Sequence, residues 1–310
     1  EGPTGLFHFP QGVASGDPRP DSVVFWTRVE SIEPCSDPID ITLEVSETDD
    51  FKTLAVEVPV HANELTDHTV RVIVDGLKPD TAYYYRFRAS NDYSKPLGRT
   101  RTAPAFDADR EVRLAFVSCQ NYEQGFFGAW DRMVTEDQNA AADEQIDFVV
   151  HLGDFIYEYI LFHDAKPEDA YPKGNLVAPD GTRRALPPFP HGAKQPNGRP
   201  YANTVDDYRH LYKTYLSDPA LMAARARWPF VCTWDDHEFT NNSWQSQSTY
   251  TREGEPAEQR KVAANQAWFE YIPAMLSNLQ GPGDEVEPSR DFVFVDVENT
   301  HAEPFEDDPN

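Results

Sequence analysis

The sequence predicts an α/β domain, with a layered sheet and helices, preceded by a small all-β sandwich. Residues 1–103 contain short β-rich runs separated by Pro, Asp, Asn and Gly, at roughly the spacing of a sandwich. From about residue 104, apolar strand-like runs alternate with helical runs, which is typical of an α/β layer domain. We therefore predict one domain over residues 1–103 and a second over residues 104–310.

Composition limits the classes of partner. The chain has 310 residues, of which 39% are hydrophobic, enough for two cores. No apolar run reaches the length of about 18 residues that a membrane span requires. The net charge of −26 disfavours nucleic acid and anionic lipid as partners. The chain starts at Glu1 without a charged and apolar leader, so we expect either that a targeting segment has been removed or that the chain begins here.

The cysteines are too few for a disulfide framework. They are Cys35, Cys119 and Cys232. A bridge between Cys35 and Cys119 stays open, although their spacing does not favour one. Cys232 lies in an apolar run, where we expect a buried thiol.

Short β-rich runs define the first domain. The predicted strands are Ser22–Val29, Asp40–Ser46, Leu54–Val60, His68–Val74 and Ala82–Ala89. The run Gly76–Phe87 resembles the loop and strand of a fibronectin type III module, in which a Tyr hydroxyl bonds back to upstream backbone. We therefore expect a fibronectin III-like sandwich.

The second domain alternates strands and helices. The predicted strands are Arg113–Ser118, Ile146–Leu152 and Phe230–Trp234, and the predicted helices are Tyr122–Glu136, Val205–Leu216, Ala220–Ala226 and Gln259–Leu276. The near-continuous apolar run of the second strand indicates a sheet buried on both faces. Residues 161–203 show no periodicity, which fits either a lid or binding loop or a solvated surface insert.

Three predicted strands end in chemically unusual residues. These ends are Val117–Gln120, His151–Tyr157 and Thr233–Glu238. Each alone has an ordinary interpretation, as a buried thiol, a turn or a solvated loop. Ligands bind at the carboxyl ends of strands in open α/β sheets, so the three ends are expected to meet. Their carboxylate, thiol, phenol and imidazole groups together indicate a metal site.

The same runs carry a family resemblance. Gly153-Asp154-Phe155-Ile156-Tyr157 fits the Gly-Asp-x-x-Tyr signature of binuclear metallophosphoesterases, and Asp235-Asp236-His237-Glu238 resembles their Gly-Asn-His-Asp/Glu motif. Cys119 stands where that superfamily usually has Asp. With the opening runs 9–18 and 24–28, these features resemble the alkaline phosphatase D (PhoD-like) family from about residue 9 to residue 275. The resemblance implies a metallophosphoesterase-like layered sheet in residues 104–310, with the C-terminal part of that domain lying beyond this chain.

The resemblance also implies a ligand set, with Cys119, Asp154, Tyr157 and Asp236 as the metal ligands and His237 as the catalytic residue. A ferric ion suits thiolate and phenolate donors, since it lowers their pKa values. A carboxylate such as Asp154 can bridge two metals, and oxygen ligands such as Asp236 suit calcium. The implied cofactors are Fe³⁺ and Ca²⁺, with the second metal open to Mg²⁺ or Mn²⁺.

The activity implied by the resemblance is hydrolysis of phosphate mono- or diesters by metal-activated hydroxide attack. His237 is expected to face the phosphate and stabilise charge or protonate the leaving oxygen, oriented by Glu238. A structural histidine bonded to Asp235 or Glu238 is the alternative. Asp235 and Asn241 are open as extra ligands or supporting groups. No Gly-x-Ser-x-Gly motif occurs, which argues against a serine hydrolase.

Partner and location expectations follow from the same resemblance. We expect a small phosphate-ester substrate, a C-terminal segment with histidines that completes the site, no nucleic acid and no transmembrane segment. The expected location is secreted, periplasmic or at the cell surface. A phospholipase D-like phosphodiesterase, or a non-catalytic surface-binding module with an incomplete site, are the alternatives.

Overall fold

The structure of the chain is a computed structural model, and it describes residues 6–33, 38–161, 177, 181, 184–250, 255–275 and 300–302. Cys35, nearly half of the insertion predicted at 161–203 and most of the chain after residue 275 lie outside these residues. Within the described part, no helix has both the length and the apolar character needed to cross a membrane.

Strands occur along both predicted domains. In chain order they are β1 (Phe7–His8), β2 (Val13–Gly16), β3 (Val23–Arg28), β4 (Glu30–Ser31), β5 (Ile39–Ser46), β6 (Val56–Ala62), β7 (Thr69–Val74), β8 (Ala82–Ala89), β9 (Asp92–Tyr93), β10 (Gly98–Arg101), β11 (Leu114–Val117), β12 (Phe148–His151), β13 (Ala193–Lys194), β14 (Pro200–Tyr201), β15 (Pro229–Cys232), β16 (Gln247–Ser248), β17 (Glu255–Pro256) and β18 (Thr300–Ala302). The α-helices are α1 (Gly128–Asn139), α2 (Val205–Leu216), α3 (Pro219–Arg227) and α4 (Glu258–Tyr271), and short 3₁₀ turns cover Glu64–Thr66 and Asp236–Glu238.

Two large sheets organise the described residues, one antiparallel throughout and one mixed. One has the strand order β10-β8-β5-β6, with β9 paired to β8. The other has seven strands in the order β11-β12-β15-β2-β3-β7-β18. In this second sheet β11, β12, β15 and β2 run parallel to one another, β3 is antiparallel to both β2 and β7, and β18 runs parallel to β7. The N-terminal region is thus strand-rich, and the helices lie in the later part of the chain, as the sequence predicts.

The seven-stranded sheet is continuous across residue 103. Strand β2, which the sequence analysis did not predict, pairs in parallel with β15, matching Ser15 with Pro229 and Gly16 with Phe230. A Cβ atom at Gly16 would lie 2.0 Å from the carbonyl oxygen of Pro273. Only glycine allows this approach. Gly16 therefore lets β2 pack closely against the later part of the chain, at the position where β2 also pairs with β15.

Two hydrophobic clusters form the core. One lies between the β-strands of the first hundred residues and includes Phe25, Val72 and Phe87. The other packs the four helices against the seven-stranded sheet and includes Trp26 and Tyr212. Each fully buried large side chain of this kind contributes roughly 1.5–3 kcal/mol relative to leaving it exposed.

Most predicted elements are confirmed, and helix ends account for the main differences. Helix α2 has the predicted bounds, and its N-terminus carries a capping box between Thr204 and Asp207. Helix α1 begins at Gly128 rather than Tyr122, because residues 122–124 form a turn, residues 125–127 are irregular and the backbone at Phe127 is still non-helical. Helix α4 ends at Tyr271 rather than Leu276, since Pro273 cannot continue a helix.

A tyrosine closes the loop before β8, as the run Gly76–Phe87 predicts. The hydroxyl of Tyr83 accepts a hydrogen bond of 3.0 Å from the backbone N–H of Lys78, five residues upstream. Tyr83 is buried, so its ring fixes the loop against the first core.

One face of the β11–β12 edge is open, which corrects the expectation of a sheet buried on both faces. Leu114, Phe116 and Leu152 are 50%, 72% and 47% exposed. Ala115 and Val117, which alternate with them along β11, pack against the helical core instead. The described residues therefore cover one face of this apolar edge and leave the other face exposed.

Candidate metal centre

The carboxyl ends of three parallel strands lie side by side. Val117 of β11 is in register with His151 of β12, which is in register with Cys232 of β15. The predicted meeting of the three strand ends is therefore confirmed. The loops that follow these strands carry all five predicted site residues.

Left-handed backbone shapes the first two loops. Cys119 and Asp154 have φ angles of 58° and 52°, and Gly153 has a φ of 99°. Non-glycine residues in this region store strain that the surrounding structure must offset. A Cβ atom at Gly153 would lie 2.5 Å from the backbone nitrogen of Asp235, so the glycine lets the third loop approach. Sharp turns at these positions direct ligand-type side chains toward one another.

The Asp154 carboxylate contacts three of the other predicted site residues. Its Oδ2 atom lies 3.3 Å from Cys119 Sγ and 3.3 Å from the Tyr157 hydroxyl. Its Oδ1 atom accepts a hydrogen bond of 3.4 Å from the backbone N–H of His237. One ligand atom each from Asp154, Asp236 and His237 lie within 4.8 Å of one another. The structure thus brings all five predicted residues together.

Electrostatics in the metal-free site disfavour its anionic forms. Burial raises the pKa of Asp154, and the charge of Asp236 adds to the rise. Burial and the neighbouring Asp154 raise the pKa of the Tyr157 phenol. For the Cys119 thiol, a hydrogen bond with Ser118 lowers the pKa, but burial and Asp154 outweigh it and the net shift is upward.

Within the described part of the chain, neither Asp154 nor Asp236 forms an ion pair with Lys or Arg. A bound cation would reverse these shifts by favouring carboxylate, thiolate and phenolate. The donor set therefore fits a metal ion.

His237 is held by Glu158 and not by Asp235 or Glu238, which corrects the sequence interpretation. Its Nδ1 atom lies 2.7 Å from Glu158 Oε2. A carboxylate can only accept, so Nδ1 carries the proton and Nε2 is left for a metal or a substrate. Burial lowers the pKa of His237, but the hydrogen bond and charge of Glu158 outweigh it, so the pKa is raised overall.

Glu158 is buried, and both oxygens of its carboxylate are hydrogen-bonded. Besides His237, it accepts hydrogen bonds from the backbone N–H of Asn241, at 2.8 Å, and from the hydroxyl of Tyr250. Sequence reasoning missed its role, although it directly follows Tyr157. Its partners lie about 80 to 90 residues further on, and no local pattern connects them.

Glu238 holds loops together instead of orienting His237. Its carboxylate accepts hydrogen bonds from the backbone N–H groups of Asp154 (3.0 Å), Phe155 (2.5 Å) and Asp235 (2.6 Å). Burial raises the pKa of Glu238 to about 7, although these hydrogen bonds oppose the rise. Asp235 caps the following 3₁₀ turn by accepting from Asp236 N–H at 2.9 Å.

An aromatic wall and a guanidinium border the site. The ring centroids of Tyr157 and Tyr159 lie 4.2 and 5.6 Å from that of His237. The guanidinium carbon of Arg199 lies 4.9 Å from the Tyr159 ring centroid. Arg199 forms no ion pair with any carboxylate in the described ranges. Arg199 could not be predicted from the sequence, because the insertion that carries it has no recognisable pattern.

Strand ends of a mostly parallel sheet that gather carboxylates, a thiol, a phenol and an imidazole define a candidate metal centre of an α/β protein. Family models give the more particular class. The PhoD-like phosphatase model matches residues 114–294, and the model of the PhoD-like phosphatase N-terminal domain matches residues 3–104. The chain belongs to the PhoD-like phosphatase family.

Individual relatives agree with this assignment. Alkaline phosphatase D of Bacillus subtilis strain 168 is 34% identical over 299 residues, which cover 93% of this chain and 45% of that protein. A solved structure described as the structure of PhoD matches with a TM-score of 0.69 and 32% identity, covering 92% of this chain and 49% of that one. The chain therefore spans about half the length of the relatives it matches.

Proposed function

We propose that this chain belongs to a metal-dependent phosphoesterase of the alkaline phosphatase D type, which hydrolyses phosphate mono- or diesters. The observation that carries the proposal is the convergence of the Cys119 thiol and the Tyr157 hydroxyl on one oxygen of Asp154. Family membership supports the same reaction class.

The donor chemistry supports two different metals. Cys119, Tyr157 and Asp154 would hold Fe³⁺, since thiolate and phenolate are strong anionic donors. Asp236 would hold the second ion, proposed as Ca²⁺, with Asp154 shared between the two. Bound metal ions would neutralise phosphate charge and lower the pKa of a water molecule.

The remaining polar groups serve the substrate. Glu158 fixes the imidazole of His237 so that Nε2 is available to stabilise charge or to protonate the leaving oxygen. Arg199 adds a cation beside the aromatic wall, in a chain whose net charge of −26 otherwise repels phosphate esters. These residues favour an anionic ligand that approaches over Tyr159.

Several finer features belong to the same proposal. We propose a fibronectin III-like sandwich over residues 1–103 and a metallophosphoesterase-like layered domain over residues 104–310. A following segment would supply the remaining ligands and cover the open apolar face around Phe116. The support is the exposure of that face and the roughly twofold greater length of the relatives.

We also propose that the protein is secreted, periplasmic or located at the cell surface. The acidic composition suits such a milieu. Cell fractionation checks this directly: recovery of the native protein in the cytosol would contradict it.

The activity test compares p-nitrophenyl phosphate with bis-p-nitrophenyl phosphate, using full-length protein purified without chelator. We expect hydrolysis of one or both, loss after chelation and recovery on adding Fe³⁺ and Ca²⁺. The variant Asp154→Asn should be inactive. The variant Glu44→Gln, at a buried carboxylate of the N-terminal sandwich, should retain activity. Hydrolysis that survives both chelation and Asp154→Asn would overturn the proposal.

A further inference from the structure

Tyr215 joins two loops of the candidate metal centre. Its hydroxyl oxygen lies 3.2 Å from the backbone nitrogen of Tyr122 and 3.2 Å from that of Tyr157. Backbone N–H groups donate, so this one oxygen accepts two hydrogen bonds. Tyr122 lies three residues after Cys119, and Tyr157 lies three residues after Asp154. One side chain of α2 is therefore bonded to the backbone of both ligand-bearing loops.

The Tyr215 ring has a fixed position. Tyr215 is fully buried and lies one residue before the end of α2. Its ring centroid lies 5.4 Å from that of Tyr122 and 6.2 Å from that of Phe127. A ring held by packing on a capped helix is a rigid support for its hydroxyl.

We propose that Tyr215 is a positioning residue that sets the spacing between the Cys119 thiol and the Tyr157 phenol. This inference rests on the proposed metal site. Without the Tyr215 oxygen, two backbone N–H groups would lose their acceptor, and the loops would move to find another. Metal binding requires ligands held within about 0.5 Å of the productive geometry, so a small movement of either loop matters.

The same helix offers a matched control. Tyr212 is also fully buried, and its hydroxyl has no hydrogen-bond partner among the residues that the structure describes. Tyr215→Phe and Tyr212→Phe each remove one hydroxyl from α2 and keep the ring. They differ in whether that hydroxyl holds the loops.

The first readout needs no metal. Amide hydrogen exchange in metal-free protein should become faster at Tyr122 and Tyr157 in Tyr215→Phe, and should stay unchanged there in Tyr212→Phe. The melting temperature of each variant, measured in parallel, separates this local change from a general loss of stability. Unchanged exchange at both amides would show that the hydroxyl does not hold the loops and would overturn the inference.

The second readout is metal affinity in the full-length protein, titrated with ferric citrate and followed by visible absorption of the folded fraction. Groups that support metal ligands typically change affinity about 10- to 100-fold when they are lost. We expect weaker Fe³⁺ binding of that size and a shifted absorption band in Tyr215→Phe, with wild-type behaviour in Tyr212→Phe. Equal affinity and an unshifted band in both variants would overturn the positioning role alone. A wild-type protein that binds no iron would overturn both this inference and the ferric assignment.

Discussion

The strand-rich N-terminal region and the strand-end site differ in how their buried carboxylates are partnered. In the N-terminal region, the buried carboxylate of Glu44 is paired with Arg86 and Arg88 at 2.7 and 2.9 Å. At the strand ends, the buried carboxylate of Glu238 accepts hydrogen bonds from three backbone N–H groups. The buried carboxylate of Asp154 is bonded to the backbone N–H of His237 and to the Cys119 and Tyr157 side chains. No Lys or Arg pairs with either of these two carboxylates in the described part of the chain. The buried carboxylate of the first region therefore has cationic side-chain partners, whereas that of Asp154 remains available for a metal cation.

The largest effect is expected from substitution of Asp154. Asp154→Asn should abolish metal binding and activity, because it removes the charge that the other ligands approach. The pKa of Asp154 is raised in the metal-free protein, so its ionised form weakens the fold. The neutral amide should therefore leave the metal-free melting temperature at pH 8 equal to or above that of wild type.

The pH dependence gives a control for Asp154→Asn. A raised pKa means that the protonated carboxyl favours the fold at low pH and that this contribution is lost as pH rises. Any gain from Asp154→Asn should thus be largest at neutral to alkaline pH and vanish below the ordinary carboxyl pKa of about 3.9. A strongly lowered melting temperature at pH 8 would contradict the view that this charge opposes stability.

A core residue of the strand-rich N-terminal region should affect stability and leave metal binding unchanged. Phe87 is fully buried among apolar side chains. Phe87→Ala should lower the free energy of unfolding by about 3–5 kcal/mol, as large-to-small core substitutions do. Denaturant unfolding measures the loss. The folded fraction should bind metal with wild-type stoichiometry, and a loss of metal from that fraction would show that the two regions are coupled.

Glu158 should act on His237 and not on the fold as a whole. Glu158→Gln should reduce activity about 10- to 100-fold, in line with other groups that orient site residues. Loss of the carboxylate should also lower the pKa of His237, so the pH–rate profile should move its alkaline limb to lower pH if His237 donates a proton. Glu44→Gln, at the paired carboxylate of the N-terminal region, should leave the pH–rate profile unchanged. An unmoved profile in Glu158→Gln would show that His237 does not titrate in catalysis.

The smallest effect is expected at the open sheet face. Phe116 is 72% exposed, so Phe116→Thr in this 310-residue chain should change the free energy of unfolding by no more than about 0.5 kcal/mol. In the full-length protein, a covering segment would raise the cost to about 1.5–3 kcal/mol, the value of a buried large apolar side chain. Equal small effects in both proteins would mean that no segment covers this face.

Elements with a strong local pattern were predicted well. Strand β8 and helix α2 have the predicted bounds, because alternation and a capping motif lie within their own residues. Strand β2 was missed because it is only four residues long, and its parallel pairing with β15 joins residues more than 200 positions apart. The open face of β11 was also missed, since an apolar run does not reveal what covers it.

In the candidate site, too, local motifs were predicted and long-range contacts were not. The motifs identified the residues that the structure gathers around Asp154, because the carboxyl ends of parallel strands necessarily meet. The roles of Glu158, Glu238 and Tyr215 depend on hydrogen bonds between distant parts of the chain, and local sequence carries no signal for them. In particular, the sequence pointed to Glu238 as the partner of His237, because the two are neighbours in sequence. The structure shows that the partner is Glu158.

The decisive experiment for the proposed metal centre is metal analysis of the intact protein, purified without chelator and paired with its visible spectrum. We expect iron together with a charge-transfer band from the Tyr157 phenolate or the Cys119 thiolate, and loss of both in Asp154→Asn. Folded protein that contains no metal, and takes up none when Fe³⁺ and Ca²⁺ are supplied, would contradict the proposed metal centre.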